Sequence, residues 1–132
     1  MNYLLDTHTL IWAISDRSKL SQTARKILDN SDNTIFVSAI TFWAIALKFS
    51  IGKLGINGTL PEELPELTLR MGFELISLSP EECASYHMLP ITGHKDMFDR
   101  MLVWQAISRN LIFITKDERI GQYRMEGLKI LW

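Results

Sequence analysis

Tyr3-Leu4-Leu5-Asp6-Thr7 is a short apolar run that stops on an acid, and its reading decides the fold. Three apolar residues with no polar alternation read as a strand covered on both faces. A second such run, Leu111-Ile112-Phe113-Ile114-Thr115, is followed at once by Lys116-Asp117. Thr34-Ile35-Phe36-Val37 is a third, rich in β-branched and aromatic residues. Phe73 to Leu78 and a short final Lys129–Trp132 run complete the strands. Helical patterns lie between them: Thr9 to Ile14, Ser21 to Leu28, Ser38 to about Ile51, Thr59 to near Gly72, Ser79 to before Pro90, and a last one from Asp96. Ser79-Pro80-Glu81-Glu82 fits a capping box with Pro at the first helical position. Thr59 reads as the N-cap of the helix that Pro61 enters. Strands separated by helices predict right-handed crossovers and a parallel sheet. The expected architecture is α/β, a three-layer α/β/α sandwich, with residues 1–132 as one domain.

The acids follow from that topology. In parallel sheets, sites form outside the carboxyl ends of the strands, near the switch in strand order. Asp6 and Asp117 follow strands directly, while Asp96 and Asp99 open a helix three residues apart. Taken singly, each is a helix cap or turn residue. Taken together they aim at one sheet edge, where carboxylates repel unless a cation holds them. Without CxxC or HxxxH spacing, such a cluster suits magnesium or manganese better than zinc. Carboxylate-held ions of this kind meet phosphate oxygens and activate water for in-line attack. Lys48, Arg100 and Lys116 either contact a phosphate backbone or, for Lys48 and Arg100, pair with nearby carboxylates. His94, two residues before Asp96, either touches a substrate phosphate or packs; His8 either packs beside Asp6 or touches a substrate, and His87, near a helix end, reads as structural.

Composition excludes other classes. The 132 residues carry 14 basic and 15 acidic side chains, a net charge of −1, so any nucleic-acid contact uses local Lys and Arg rather than a basic face. Apolar residues make up 47% and charged residues 22%, the range of globular chains. The single Cys83 has no disulfide or zinc partner and reads as a small core residue. No apolar run reaches a membrane span, no signal peptide is expected, and the chain reads as cytoplasmic. Trp12, Phe42, Trp43, Phe49 and Trp104 fall in helical apolar patterns and read as core or interface. The helix after Ser38 is apolar almost all round, which predicts burial or a subunit interface.

Four stretches together match a known pattern: Leu4-Leu5-Asp6-Thr7-His8, Ser38-Ala39-Ile40-Thr41-Phe42-Trp43-Ala44-Ile45-Ala46-Leu47-Lys48, His94-Lys95-Asp96-Met97-Phe98-Asp99-Arg100 and Ile114-Thr115-Lys116-Asp117. In order and spacing the chain resembles a PIN-domain ribonuclease of the VapC toxin type. The resemblance implies a metal-dependent endoribonuclease that hydrolyses RNA phosphodiester bonds, with magnesium or manganese held by Asp6, Asp99 and Asp117 and with Asp96 nearby. It also implies a homodimer and a small antitoxin that blocks the site. One position departs. The family pattern has Glu after the Trp, and here that position is Ala44. A methyl group holds neither a metal nor its water, so this form is expected to be strongly impaired, and Lys48 loses its i,i+4 partner. The other acids are intact, which favours a single engineered replacement over decay of the site. The rival reading is a degenerate PIN fold kept as a binding module. A flavodoxin-like or receiver-like domain is a weaker rival, because no Gly-rich phosphate loop follows the first strand.

Overall fold

The computed structural model describes residues 1–132. Five strands form one sheet: β1 (Asn2–Leu5), β2 (Thr34–Ser38), β3 (Glu74–Ile76), β4 (Ile112–Ile114) and β5 (Lys129–Leu131), in the order β3-β2-β1-β4-β5. Every pairing is parallel. The helices are α1 (Thr7–Ser15), α2 (Gln22–Asp29), α3 (Ala39–Ser50), α4 (Leu64–Arg70), α5 (Pro80–Ser85) and α6 (Met97–Ser108), joined by short 3-10 turns. The expected parallel α/β/α architecture is the one observed.

Side-chain alternation along β1 divides the core. Leu5 faces one side with Leu10, Ile35, Val37, Ile45 and Ile114. Leu4 faces the other with Leu102, Val103, Ala106, Phe113 and Ile120. The register agrees, pairing Leu4 with Phe113 and Leu5 with Ile114. Both leucines are fully enclosed, each burial stabilising by about 1.5–3 kcal/mol. β1 therefore sits centrally because it is apolar on both faces. The chain runs outward from it to β2 and β3, then crosses back to β4. The C-terminal ends of β1 and β4 thus flank the switch in strand order, where a crevice opens.

Several local expectations change. α1 begins at Thr7 rather than Thr9, because the Asp6 side chain caps it. Thr59 caps nothing: it bridges Ile56, and Leu60 precedes the 3-10 turn Pro61–Glu63 that leads into α4. The strand read over Phe73 to Leu78 shrinks to an edge strand of three residues with only Ile76 partly covered. Cys83 is exposed on α5 rather than packed in the core, because α5 turns Glu82 inward instead. A nine-residue 3-10 helix, Glu118–Glu126, fills the stretch before β5 and buries Ile120 and Tyr123, three residues apart. Gly127, at φ 96°, closes it in a conformation that disfavours side chains. The α3 face is split. Ile40, Thr41, Ala44 and Ile45 point inward, whereas Trp43, Leu47 and Phe49 are exposed.

Candidate metal centre

The four acids converge on one cleft, and three of them, Asp6, Asp96 and Asp117, are caps as well. Asp6 leaves β1 buried; its Oδ1 accepts from the Thr7 amide at 2.7 Å and its Oδ2 from the Thr115 hydroxyl at 2.6 Å. Asp96 caps α6 through Oδ1, which accepts from the Phe98 and Asp99 amides at 2.9 and 3.0 Å. Asp117 caps the 3-10 helix and takes Arg119 on both oxygens, Oδ1 from Nε at 3.1 Å and Oδ2 from Nη2 at 2.9 Å. Capping uses the carboxylates to hold their own elements in place, so caps and cluster are one arrangement.

Asp99 differs from the rest. It stands in the first turn of α6, and no side chain or amide donates a close hydrogen bond to its carboxylate; the nearest cationic candidate is His94 Nε2, 3.5 Å from Oδ2. Burial, then the charges of Asp6 and Asp96, and further that of Asp117, push its pKa up to about 7, with Lys48 opposing. Burial also raises Asp6, against the hydrogen bonds from Thr115 and Thr7. Asp117 is lowered, chiefly by the hydrogen bonds from Arg119. Two of the converging acids thus resist ionising together, the condition that a bound cation relieves.

These acids line an open cleft of about 630 Å³ together with His8, Trp12, Lys48, Lys116, Glu118 and Arg119. Lys48 lies in the cleft without a direct ion pair and lowers Asp99 from a distance. Lys116 sits over the Trp12 ring at 5.8 Å, so Trp12 belongs partly to the cleft wall and not only to the core. Ala44, one helical turn before Lys48, is buried and outside this lining. His94 is buried behind Asp99, and His94, Asp99 and Asp117 place one donor atom each within 4.8 Å of the others.

Arg100 overturns its expected part. It is buried facing away from the cleft and makes no carboxylate pair. Its guanidinium donates to the Tyr86 and Tyr123 hydroxyls and to the carbonyls of Leu89 and Pro90, at 2.9–3.2 Å. One residue after Asp99 on a helix, it points about 100° away, toward the loop over Pro90. Arg119, Glu118 and Thr115 are site residues that the sequence reading missed. Arg119 had a usable signal, since it follows Asp117 by two residues and a capping Asp with a nearby Arg favours a local pair.

A PIN-domain family model matches residues 3–127. Ribonuclease VapC22 of Mycobacterium tuberculosis is 23% identical over 129 residues, covering 98% of this chain and 97% of that one. Among solved structures, VapBC2 of Rickettsia felis bound to a DNA fragment from its promoter superposes with TM-score 0.67 at 21% identity, covering 99% and 98% of the two chains. VapBC-1 of nontypeable Haemophilus influenzae does so with TM-score 0.62 at 20% identity, covering 99% and 97%. At such identities the structures bear on the fold alone, while the family model spans nearly the whole chain, acids included: the chain belongs to the PIN-domain family.

Proposed function

We propose that this chain is a ribonuclease toxin of the VapC type, cutting RNA phosphodiester bonds in the cytoplasm and neutralised by a cognate antitoxin. The observation that carries the reading is the convergence of Asp6, Asp96, Asp99 and Asp117 on one cleft, with Asp99 driven up to about 7 by burial and its acidic neighbours. The donor set fits a hard divalent ion, magnesium or manganese, with Asp6, Asp99 and Asp117 as ligands and Asp96 in support. When bound, such an ion supplies charge to a phosphate oxygen and acidifies a water. The protein's part is placement. Thr115 and the Thr7 amide fix Asp6, Asp96 fixes the start of α6, and Lys48, Lys116 and Arg119 offer cations to the RNA backbone. No helix is long and apolar enough to cross a membrane. The exposed Trp43, Leu47, Phe49 and Ile51 on and after α3 support a homodimer or an antitoxin-covered surface.

With Ala44 in place of the family's Glu, the chain as it stands cleaves weakly. Comparing it with Ala44→Glu, purified and supplied with magnesium or manganese on a broad RNA pool, tests both parts. The expected gain is on the order of 10–100-fold, the usual cost of a lost supporting group at a metal centre. A restored protein that binds metal and cleaves no RNA leaves the binding-module reading, which the buried methyl at position 44 favours.

A further inference from the structure

Four buried side-chain atoms have no hydrogen-bond partner, the hydroxyls of Thr7, Thr41 and Thr68 and the Nε2 of His94, and the last of these lies against Asp99. His94 has only 2% of its side chain exposed. Its Nδ1 lies 3.2 Å from the Tyr123 hydroxyl, while its Nε2 is buried with no hydrogen-bond partner. A ring nitrogen left so is destabilising unless something binds there. Nε2 points at Asp99, 3.5 Å from Oδ2. That is long for a hydrogen bond, whose N···O distance is about 2.9 Å. It suits two donors of one ion, which stand about 3.0–3.4 Å apart when each is about 2.1 Å from it.

We propose that His94 Nε2 is a metal donor beside Asp99 and Asp117, making the centre a mixed imidazole–carboxylate site that favours Mn²⁺ over Mg²⁺. The proposal rests on the metal-dependent reading above. The three donor atoms lie within 4.8 Å of one another, wider than the ~4.2 Å between donors on opposite sides of one ion, so the donors close in on binding. Arg119, which holds Asp117, is 72% exposed and can swing off it.

The ring is held for this task from behind. Arg100 Nη1 donates to the Tyr123 hydroxyl at 3.0 Å, and Thr92 Oγ1 lies 3.3 Å from the same oxygen. The Thr92 and His94 contacts of the Tyr123 hydroxyl fit either direction, and a metal on Nε2 requires the one in which Thr92 receives the hydroxyl proton and Tyr123 accepts from Nδ1–H. The neutral ring then carries its free lone pair on Nε2, toward the acids. A ligating imidazole that gives its other N–H to an oxygen is the usual supporting arrangement. Imidazole adds little for magnesium, which prefers oxygen and water, and more for manganese. An all-carboxylate site would show no such preference from its donors.

Mn²⁺ bound to the whole protein is examined by electron spin-echo spectroscopy, with Kd values for Mn²⁺ and, by competition, Mg²⁺. The expected result is nitrogen modulation from one directly bound imidazole, retained in His8→Gln and lost in His94→Gln. Mn²⁺ affinity falls about 10–100-fold in His94→Gln, and Mg²⁺ affinity less than about 3-fold. Tyr123→Phe, which loosens the ring without removing the donor, retains the nitrogen signal with weaker Mn²⁺ binding. Bound Mn²⁺ without nitrogen modulation overturns the proposal and leaves the nuclease reading standing. So does an equal loss of both ions in a His94→Gln protein that folds. A native chain that binds no Mn²⁺ overturns the proposal, and an Ala44→Glu protein that binds none either overturns the nuclease reading with it. The modulation of the native protein is decisive even where a variant fails to fold.

Discussion

Asp99→Asn should stabilise the metal-free protein at alkaline pH while destroying its metal site. The Asp99 carboxyl is raised from 3.8 to about 7 by burial and by Asp6 and Asp96. At 1.36 kcal/mol per unit, the strain of ionising it is at most about 4 kcal/mol. Its side chain is 23% exposed, and solvent together with relaxation of the loop removes part of that. An ionised Asp in the first turn of α6 also gains up to about 1 kcal/mol from the helix dipole. The net gain for the amide is about 1–2 kcal/mol at pH 8. The sign follows from linkage. A folded-state pKa above the unfolded value means that the native protein binds the proton more tightly, so Asp99 contributes stability in acid that is lost as pH rises through about 7. Urea unfolding in EDTA at pH 5, 6, 7 and 8 measures it. The variant should match the native protein only toward about pH 4, the unfolded value, and its advantage should grow from pH 5 upward to about 1–2 kcal/mol at pH 8. Added Mn²⁺ should stabilise the native chain and leave the variant unmoved. A variant that is equally or less stable at pH 8, or a gap that does not change with pH, refutes the claim that the acids are strained against one another.

Arg100→Met should destabilise by about 2–4 kcal/mol in urea unfolding, since it strands two carbonyls and two tyrosine hydroxyls; Arg100→Lys should recover only a fraction, because an ammonium cannot reach all four. Glu82 is buried and tends upward for that reason, but hydrogen bonds from Arg109, the Ser79 amide and Gln105 outweigh burial and bring it to about 2. Its contribution is present above about pH 4.5 and lost as pH falls toward 2, so Glu82→Gln should cost about 1–2 kcal/mol at pH 7 after screening and converge with the native chain near pH 2, by acid unfolding. Trp43, 55% exposed and edge-on to Phe98 at 5.1 Å, sits on the unpartnered face of α3. Trp43→Lys should shift a dimer toward monomer by about tenfold or more in Kd, read by sedimentation, without loss of fold.

The sheet was legible because β1, β2 and β4 are buried on both faces, and only then does a strand advertise itself as an unbroken apolar run. β3 failed that test for a physical reason. It lies at the edge with Glu74 and Leu75 exposed, so nothing in the packing separates its three paired residues from the extended chain on either side. The 3-10 helix at Glu118–Glu126 was invisible for a different one. It buries only Ile120 and Tyr123, and two apolar residues in nine establish no period. α1 and Thr59 show that a cap is read correctly only when the side chain chosen is the one that reaches an orphan amide. At Asp6 the acid that seemed free for chemistry was also the cap, and the helix moved two residues toward it.

The same double use explains which site residues could be read. Asp6, Asp96 and Asp117 each bond to amides of the element that they begin, so local sequence grammar marks their places, and topology gathers them. Residues whose role depends on distant partners carry no such mark. Arg100 is written beside the acids but spends its donors on Tyr86 and Tyr123, 14 and 23 residues away. His94 is likewise placed by Tyr123, 29 residues on. Sequence proximity therefore put Arg100 in the site, where it is not, and left His94 undecided between packing and contact. The three-dimensional order is Arg100, Tyr123, His94, Asp99: a buried cation fixes a phenol, the phenol fixes an imidazole, and the imidazole faces one of the two acids that burial raises. Breaking the first link by Arg100→Met should therefore weaken Mn²⁺ binding without any direct contact, and a variant that folds with unchanged Mn²⁺ affinity would show that the chain of contacts transmits nothing to the site.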